Sequence, residues 1–331
     1  MKFTDAKIAI VGATGLVGRN ILSLMEEREH KPAKLALFAS KKSEGRSVKF
    51  LGDDLPVSLL PEYNIGNFDI AFFAAGSSVS FEWAPRFVSD GAVVIDKSSA
   101  FRDDPDCPLV VPQINQKELD NLKKGIIASP NCSTIGFVLA IKPLIDLFGI
   151  PKHIVVATYQ SVSGAGKEGL EALRFQRLGE DYSGPFGKPI YNNILPAIDE
   201  LGPDGFYKEE TKLMTETRKI LGIEDLEITA TAVRVPVNIG HSEAVTLFFT
   251  REVDLGAAET ALKSAPTIIV SDFDDYPTPL EVAKTDDVVV GRIRTHPSDE
   301  RVLCLFLAFD NLRRGAVTNA LDIAELILIK K

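Results

Sequence analysis

Residues Lys7-Ile8-Ala9-Ile10-Val11 form a short, β-branched apolar run that leads directly into Gly12-Ala13-Thr14-Gly15-Leu16-Val17-Gly18. A segment with Leu16, Ile21, Leu22 and Leu24 on one helical face follows. A strand buried on both sides, a glycine turn and then a helix is the opening unit of a doubly wound parallel sheet. Glycines let the main chain approach a pyrophosphate, and the helix N-terminus offers it N–H donors and positive potential. The spacing is GxxGxxG and not the commoner GxGxxG, so the triplet alone reads either as a dinucleotide site or as a tight structural turn. Its place between strand and helix favours the dinucleotide.

Further buried-strand runs at Lys34–Ala39, Ile70–Ala74 and Val93–Asp96 continue the sheet. The first ends in Ser40-Lys41-Lys42-Ser43. A unit that binds NAD places an acid near this point for the ribose 2′-hydroxyl, whereas one that binds NADP places cations and hydroxyls for the 2′-phosphate. Lysine and serine here point to NADP, or else form a solvated turn. The second run ends in Ala75-Gly76-Ser77-Ser78, at the carboxyl end of a strand, where ligands of such sheets sit. Arg102 stands alone in the hydroxyl-rich loop Ser98-Ser99-Ala100-Phe101-Arg102, either as a solvated charge or as a clamp for a phosphate or carboxylate.

Ser129-Pro130-Asn131-Cys132-Ser133-Thr134 lies between the apolar run Gly125–Ala128 and a helical pattern with Ile135, Val138, Leu139, Ile141 and Leu144. Cys132 is therefore expected at a helix entry, where the dipole favours the nucleophilic thiolate. A lone cysteine can equally be a buried structural residue; the polar frame of Asn131, Ser133 and Thr134 favours the nucleophile.

Beyond this helix the periodicity changes. Ile154–Gln160 reads as a longer strand that brings Gln160 to the mouth of the loop 161–166. The stretch from Gly179 to Gly205, rich in Gly, Pro and Asn, is long enough to be functional or interface-forming. Glu209 and Lys212 lie one helical turn apart, which also suits a solvated ion pair. Glu227–Pro236 alternates like an antiparallel strand, with Ser242–Phe249 as its expected partner. His241, in a glycine turn after Arg234 and Pro236, is the best candidate base. Strands at Val288–Val290 and Val302–Phe309 and a final helix with an apolar stripe close the chain, the helix being expected to return to the first domain.

With 331 residues the chain can hold two domains, and a net charge of −9 without any basic, aromatic-interleaved block gives no footprint for nucleic acid. No run approaches the 18 apolar residues of a membrane span, and no signal segment precedes the first strand, so a cytoplasmic protein is expected. Cys107, Cys132 and Cys304 are too few and too widely spaced for a disulfide framework or a zinc site. His30, His153, His241 and His296 form no ligand pair, so no metal is expected.

The motifs GATGLVG at Gly12, SSAFR at Ser98, SPNCST at Ser129, TYQSVSGAG at Thr158, RVPVNIGHS at Arg234 and DNLRRGA at Asp310 occur in one order along nearly the whole chain. Together they resemble those of the aspartate-semialdehyde dehydrogenases. The resemblance implies an α/β fold: a Rossmann-type parallel-sheet domain, 1–131, completed by a C-terminal helix, 312–331, and an α+β catalytic and dimerisation domain, 132–311, with a largely antiparallel sheet. It implies NADPH-dependent reduction of L-aspartyl 4-phosphate to the semialdehyde, with release of phosphate, on the route to lysine, threonine and methionine. Cys132 would be the nucleophile, Gln160 its orienting partner and His241 the acid/base. Arg234 would hold the substrate α-carboxylate and Glu209 its ammonium, with Arg102, Asn131 and Lys212 on phosphate. Cofactor contacts are implied at Gly12, Thr14, Gly15, Leu16, Val17, Ser40, Lys42, Ser43, Ala75, Gly76, Ser78, Gly164 and Asn311. Lys42 departs from the family, which often has arginine there. A homodimer, or a dimer of dimers, is implied.

Rival readings are an N-acetylglutamyl-phosphate or acyl-CoA reductase on the same scaffold, and a catalytically silent NADP-binding regulator. Arg234 with Glu209 suits a free α-amino acid, and a silent regulator has no use for Cys132, Gln160 and His241.

Overall fold

The computed structural model describes residues 1–61, 65–182 and 184–330; residue 183 of the excursion 179–205 and residue 331 of the closing helix lie outside the described residues. The chain forms two compact units, Met1–Pro130 with Ala316–Lys331, and Asn131–Gly315.

In the first unit, strands β1 (Lys7–Val11), β2 (Lys34–Phe38), β3 (Ser47–Phe50), β4 (Asp53–Ser58), β5 (Ile70–Phe73), β6 (Val93–Asp96) and β7 (Ile126–Ala128) make one sheet in the order β3-β4-β2-β1-β5-β6-β7. All neighbours are parallel except the β3/β4 hairpin, whose first arm alternates exposed Ser47 and Lys49 with buried Val48 and Phe50. The order reverses at β1, with β2 on one side (Ile8 opposite Leu35) and β5 on the other (Ile8 opposite Ile70). A crevice opens at the carboxyl ends of strands where the order reverses, and the turn Gly12–Gly15 lies there.

Two glycines are dictated by close approach. Gly12 has φ +90°, and a Cβ on it would stand 2.5 Å from the carbonyl oxygen of Ala74. One on Gly18 would stand 2.3 Å from the oxygen of Gly12, so only glycine lets the helix Leu16–Glu27 start this close to the strand. The helix Asn319–Lys330 buries Ala320, Leu321, Ile323, Ala324, Ile327 and Leu328 in the same core as Ile8, Ile10, Leu22 and Met25. Its polar edge is tied by Arg28 to Asp322 (3.0 Å) and Glu325 (2.7 Å).

In the second unit, β8 (His153–Gln160), β9 (Ile228–Arg234), β10 (His241–Phe248), β11 (Ile268–Val270), β12 (Val288–His296) and β13 (Asp299–Phe309) make a sheet in the order β11-β12-β13-β10-β8-β9. Three of its five pairings are antiparallel: β12/β13, β13/β10 and β10/β8. The expected pairing of Glu227–Pro236 with Ser242–Phe249 does not form. β9 runs parallel to β8 at the edge, Gln160 opposite Arg234, and β8 separates it from β10. Its alternation records a sheet covered on one side only, which a parallel edge strand shares with an antiparallel one.

On the covered face lie Ile154, Val156, Thr158 and Gln160 of β8 and His241, Glu243, Val245 and Leu247 of β10. The helix Cys132–Phe148 packs against that face so tightly that a Cβ on Gly136 would meet the Phe309 ring at 2.2 Å. The opposite face leaves Val155, Tyr159 and Phe248 more than a third exposed, with Tyr159 and Phe306 in ring contact.

Candidate active site

Cys132 is the first residue of its helix, and Asn131 is the N-cap, its Oδ1 accepting from the Cys132 N–H at 2.9 Å. The sulfur lies 3.3 Å from His241 Nε2 and 3.6 Å from Asn131 Oδ1. Gly315 closes the other side: a Cβ there would stand 3.0 Å from that of Cys132.

His241 is the first residue of β10 and fully buried. Burial and, next, the nearby Arg234 guanidinium hold its pKa well below the usual imidazole value, with a partial offset from the Gly240 backbone. Its Nδ1 accepts from the Ser161 N–H at 3.1 Å, and the Ser161 hydroxyl stands 3.2 Å away. The connection is short because β8 and β10 are neighbours, with Ser242 opposite Tyr159.

Arg234 ends β9, buried, with Nη1 donating to the Ser161 carbonyl at 2.8 Å. Burial lowers its pKa, while Glu209 and Cys132 act in the opposite sense. Guanidinium remains charged in proteins. Among the described residues no carboxylate reaches ion-pair distance of it. An unpaired buried cation is costly, and a substrate carboxylate would neutralise it.

The helix Lys208–Leu221 presents Glu209, Lys212 and Glu216 to the same region. Glu209 is buried, and its Oε1 accepts from Asn131 Nδ2 (2.8 Å) and Gln160 Nε2 (3.2 Å). Lys212 lies 3.6 Å from Glu209 Oε2 and 2.5 Å from Asp199, so Glu209 and Lys212 are more than a solvated pair. Glu216 Oε2 receives the Asn131 N–H at 2.7 Å. Gln160 bonds Glu209 and Thr158 and not the sulfur, so any orienting effect on Cys132 passes through Glu209 and Asn131.

Gly164 and Asn311, expected at the cofactor, surround the same groups. A Cβ on Gly164 would meet Arg234 Nη1 at 2.6 Å and the His241 ring at 3.4 Å. Asn311 Oδ1 accepts from Ser161 Oγ (3.0 Å), Ser163 Oγ (3.2 Å) and the Gly240 N–H (2.9 Å). Ser161, Ser163, Glu216 and Gly315 were not singled out from sequence; only the position of Ser161 directly after Gln160 offered a signal.

Arg102 belongs to the first unit. It is buried there, donating from Nη2 to the Lys97 carbonyl at 3.1 Å, and its loop is pinned where Asp96 accepts from the Ser98 N–H (3.1 Å) and hydroxyl (2.7 Å). The glycine turn leads to a helix whose Gly15 N-cap supplies no side-chain cap, and Gly76 (φ +93°) does the same for Ser77–Ser89, where Ala75 and Ser78 lie. Such N–H groups are satisfied by water or ligand. Thr14 and Ser43 share a hydroxyl contact at 3.0 Å, with Leu16 and Val17 just beyond, while Ser40 and Lys42 are exposed. The cradle that a side chain would fill, the uncapped helix entry and the basic turn fit a dinucleotide.

Residues 7–122 match the family described as semialdehyde dehydrogenase, NAD binding domain, and residues 141–314 that described as semialdehyde dehydrogenase, dimerisation domain. The chain is 47% identical to the aspartate-semialdehyde dehydrogenase of Aquifex aeolicus, covering 97% of this chain and 98% of that protein, and 44% identical to that of Campylobacter jejuni, covering 96% of each. It superposes on the crystal structure of aspartate semialdehyde dehydrogenase II complexed with ASA from Vibrio cholerae with a TM-score of 0.94, at 39% identity and 98% coverage of both chains. The Candida albicans enzyme with NADP gives a TM-score of 0.77 at 27% identity, covering 98% of this chain and 99% of that one.

Proposed function

Because the chain belongs to the aspartate-semialdehyde dehydrogenase family, we propose that it reduces L-aspartyl 4-phosphate to L-aspartate 4-semialdehyde with NADPH, through a thioester on Cys132, in lysine, threonine and methionine biosynthesis. The observation that carries this reading is the buried, carboxylate-free Arg234 beside a cysteine 3.3 Å from an imidazole nitrogen.

The Cys132 thiolate, favoured by the helix entry and by the Arg234 charge, attacks the acyl carbon and expels phosphate. Arg234 holds the α-carboxylate as a planar fork, and Glu209 receives the ammonium. Asn131, Lys212 and Arg102 take the phosphate. His241 serves the sulfur and the carbonyl oxygen in the family's acid/base place. Residues Gly12–Val17, Ala75–Ser78 and Ser40–Ser43 of the first unit would hold the nicotinamide nucleotide, whose chemistry there would be hydride donation to the acyl carbon. The first unit is then the cofactor domain, and the second the catalytic and pairing domain.

The reverse assay tests the whole. NADP reduction should require inorganic phosphate and proceed with aspartate semialdehyde, not with N-acetylglutamate semialdehyde or a CoA-dependent substrate. Activity confined to the N-acetylated compound would overturn the assignment, since that substrate carries no ammonium for Glu209.

The family's dimerisation label and the sheet face carrying Val155, Tyr159 and Phe248 support a homodimer. A monomeric mass by light scattering at micromolar concentration would refute it.

A further inference from the structure

The excursion 179–205 reaches the substrate site at Arg234. β9 is an edge strand of its sheet, and Leu195 closes that edge at one position: its N–H donates to the Arg234 carbonyl at 2.9 Å, and its carbonyl accepts from the Arg234 N–H at 2.8 Å. Leu195 and Ile190 are buried with Val162 and Leu173 in a small core of their own, and Phe186, in the single turn Gly184–Phe186, packs on it. The Phe186 ring lies against the helix Gly166–Arg177, where a Cβ on Gly169 would stand 3.1 Å from its Cζ. The Arg234 guanidinium lies over that ring, its Cζ 5.9 Å from the centroid.

Two groups thus hold the guanidinium while leaving most of its donors unused. Nη1 donates to the Ser161 carbonyl at 2.8 Å, and the ring attracts the charge with its face while the N–H edge of the fork stays open. After burial, the largest influence on Arg234 is the charge of Glu209. Both side chains are buried, yet they form no ion pair with each other, because Glu209 is drawn the other way. Its Oε1 accepts from Asn131 Nδ2 at 2.8 Å and Gln160 Nε2 at 3.2 Å, and Lys212 Nζ lies 3.6 Å from Oε2. Gln160 and Arg234 stand opposite each other on β8 and β9, so the amide that holds Glu209 and the guanidinium are neighbours on one sheet. Two buried opposite charges would gain by pairing, since a buried charge without a partner is costly. Once paired, neither would be left for a substrate that brings a carboxylate and an ammonium on one carbon.

We propose that Phe186 of the excursion is a positioning residue that keeps the Arg234 guanidinium off Glu209, so that the two anchors do not neutralise each other before an α-amino acid brings the opposite charge to each. The inference rests on Arg234 and Glu209 binding the α-carboxylate and the ammonium of the substrate. An aromatic ring suits this task because it attracts a cation without taking up its N–H groups. A carboxylate in its place would hold the guanidinium by the same edge that a substrate needs. Leu195 fixes the main chain of Arg234, and Phe186 and the Ser161 carbonyl fix its side chain. The excursion therefore acts on substrate choice through Arg234.

Crystal structures of the full-length protein without substrate read the arrangement directly. In Phe186→Leu the guanidinium should move to within ~4 Å of a Glu209 carboxylate oxygen, whereas in Phe186→Tyr, which keeps the ring face, it should stay in place. Phe186→Leu should raise KM for aspartate semialdehyde about threefold to thirtyfold, the span of a guanidinium–ring contact, with kcat and the unfolding midpoint little changed. Phe186→Tyr should keep KM near that of the wild type. In a Glu209→Gln background, Phe186→Leu should add little to KM, because no carboxylate is left to capture the guanidinium. A guanidinium that stays in place in Phe186→Leu, or the same KM in all three proteins, would overturn the proposal. So would a fall of kcat and unfolding midpoint in both variants, which marks a residue that only supports the fold. Failure of all three proteins to act on aspartate semialdehyde, with the guanidinium displaced in Phe186→Leu, would instead refute the function and leave the spacing role standing.

Discussion

In the first unit the groups of the glycine turn lie in one short stretch, Gly12 to Gly18, with Ser43 added through its contact to Thr14. In the second, the groups around Cys132 come from the ends of β8, β9 and β10, from a helix at Glu209–Glu216 and from Asn311 beyond β13. A cradle for a phosphate needs main-chain shape, which a few adjacent glycines can make. A nucleophile, a proton-bearing ring and two oppositely charged substrate anchors need distances that neighbours in sequence cannot supply. Substitutions in the first unit should therefore shift a preference, while those in the second should remove the reaction.

The largest effect is expected at Cys132. Cys132→Ala should abolish turnover while nucleotide binding and the unfolding midpoint stay near those of the wild type; mass spectrometry of the wild type with substrate should place an acyl adduct on Cys132. An active alanine variant, or an adduct on Cys107 or Cys304, would end the comparison at once.

Arg234→Lys keeps the charge but loses the fork. It should raise KM for the amino-acid substrate by about tenfold to a hundredfold, the worth of one or two charge-assisted bonds, with kcat affected less. An unchanged KM would take Arg234 out of substrate binding.

At the first unit's turn, Lys42→Glu should lower the ratio of kcat/KM for NADP over NAD by a few-fold to about tenfold, as befits an exposed charge, and Lys42→Arg should raise it. Equal ratios in wild type and Lys42→Glu would shift the 2′-phosphate contact to Lys41 or the serines.

The smallest effect concerns Glu243, two residues beyond His241 on the same face, fully buried, with no hydrogen-bond partner for either carboxyl oxygen among the described residues. Burial pushes its pKa well above the usual carboxylate range. The folded state then keeps a proton that the unfolded chain has lost, so the group's contribution is complete below the unfolded value and declines as pH rises. Between about pH 5 and pH 8, Glu243→Gln should lose less stability than the wild type, measured as urea midpoints. Parallel curves would show that Glu243 is not held neutral.

This division also decides what can be read from residues alone. The turn at Gly12 is legible because strand, turn and helix are contiguous, and Cys132 because its helix begins at its own position. The bond from Ser161 to His241 depends on the register of β8 against β10, to which neither local pattern refers. The neighbour of β9 is not legible in its residues, because one-sided burial imposes the same alternation on parallel and antiparallel strands. The burial of Glu243 is hidden because its chemistry says outside while its place in the alternation says inside.

The helix Asn319–Lys330 has a consequence for how the protein is made. The core holding Ile8, Ile10, Leu22 and Met25 also contains Val317, Leu321, Ile323 and Leu328, while the second unit is wholly encoded before residue 316. Synthesis from the N-terminal side therefore delivers every residue of the later-numbered unit before Ala316–Lys331 of the earlier one. Nascent chains usually fold from the N-terminal domain onward. Here the first seven strands leave the tunnel lacking part of their own interior, and only the emergence of the segment from Ala316 to Leu328 makes it whole.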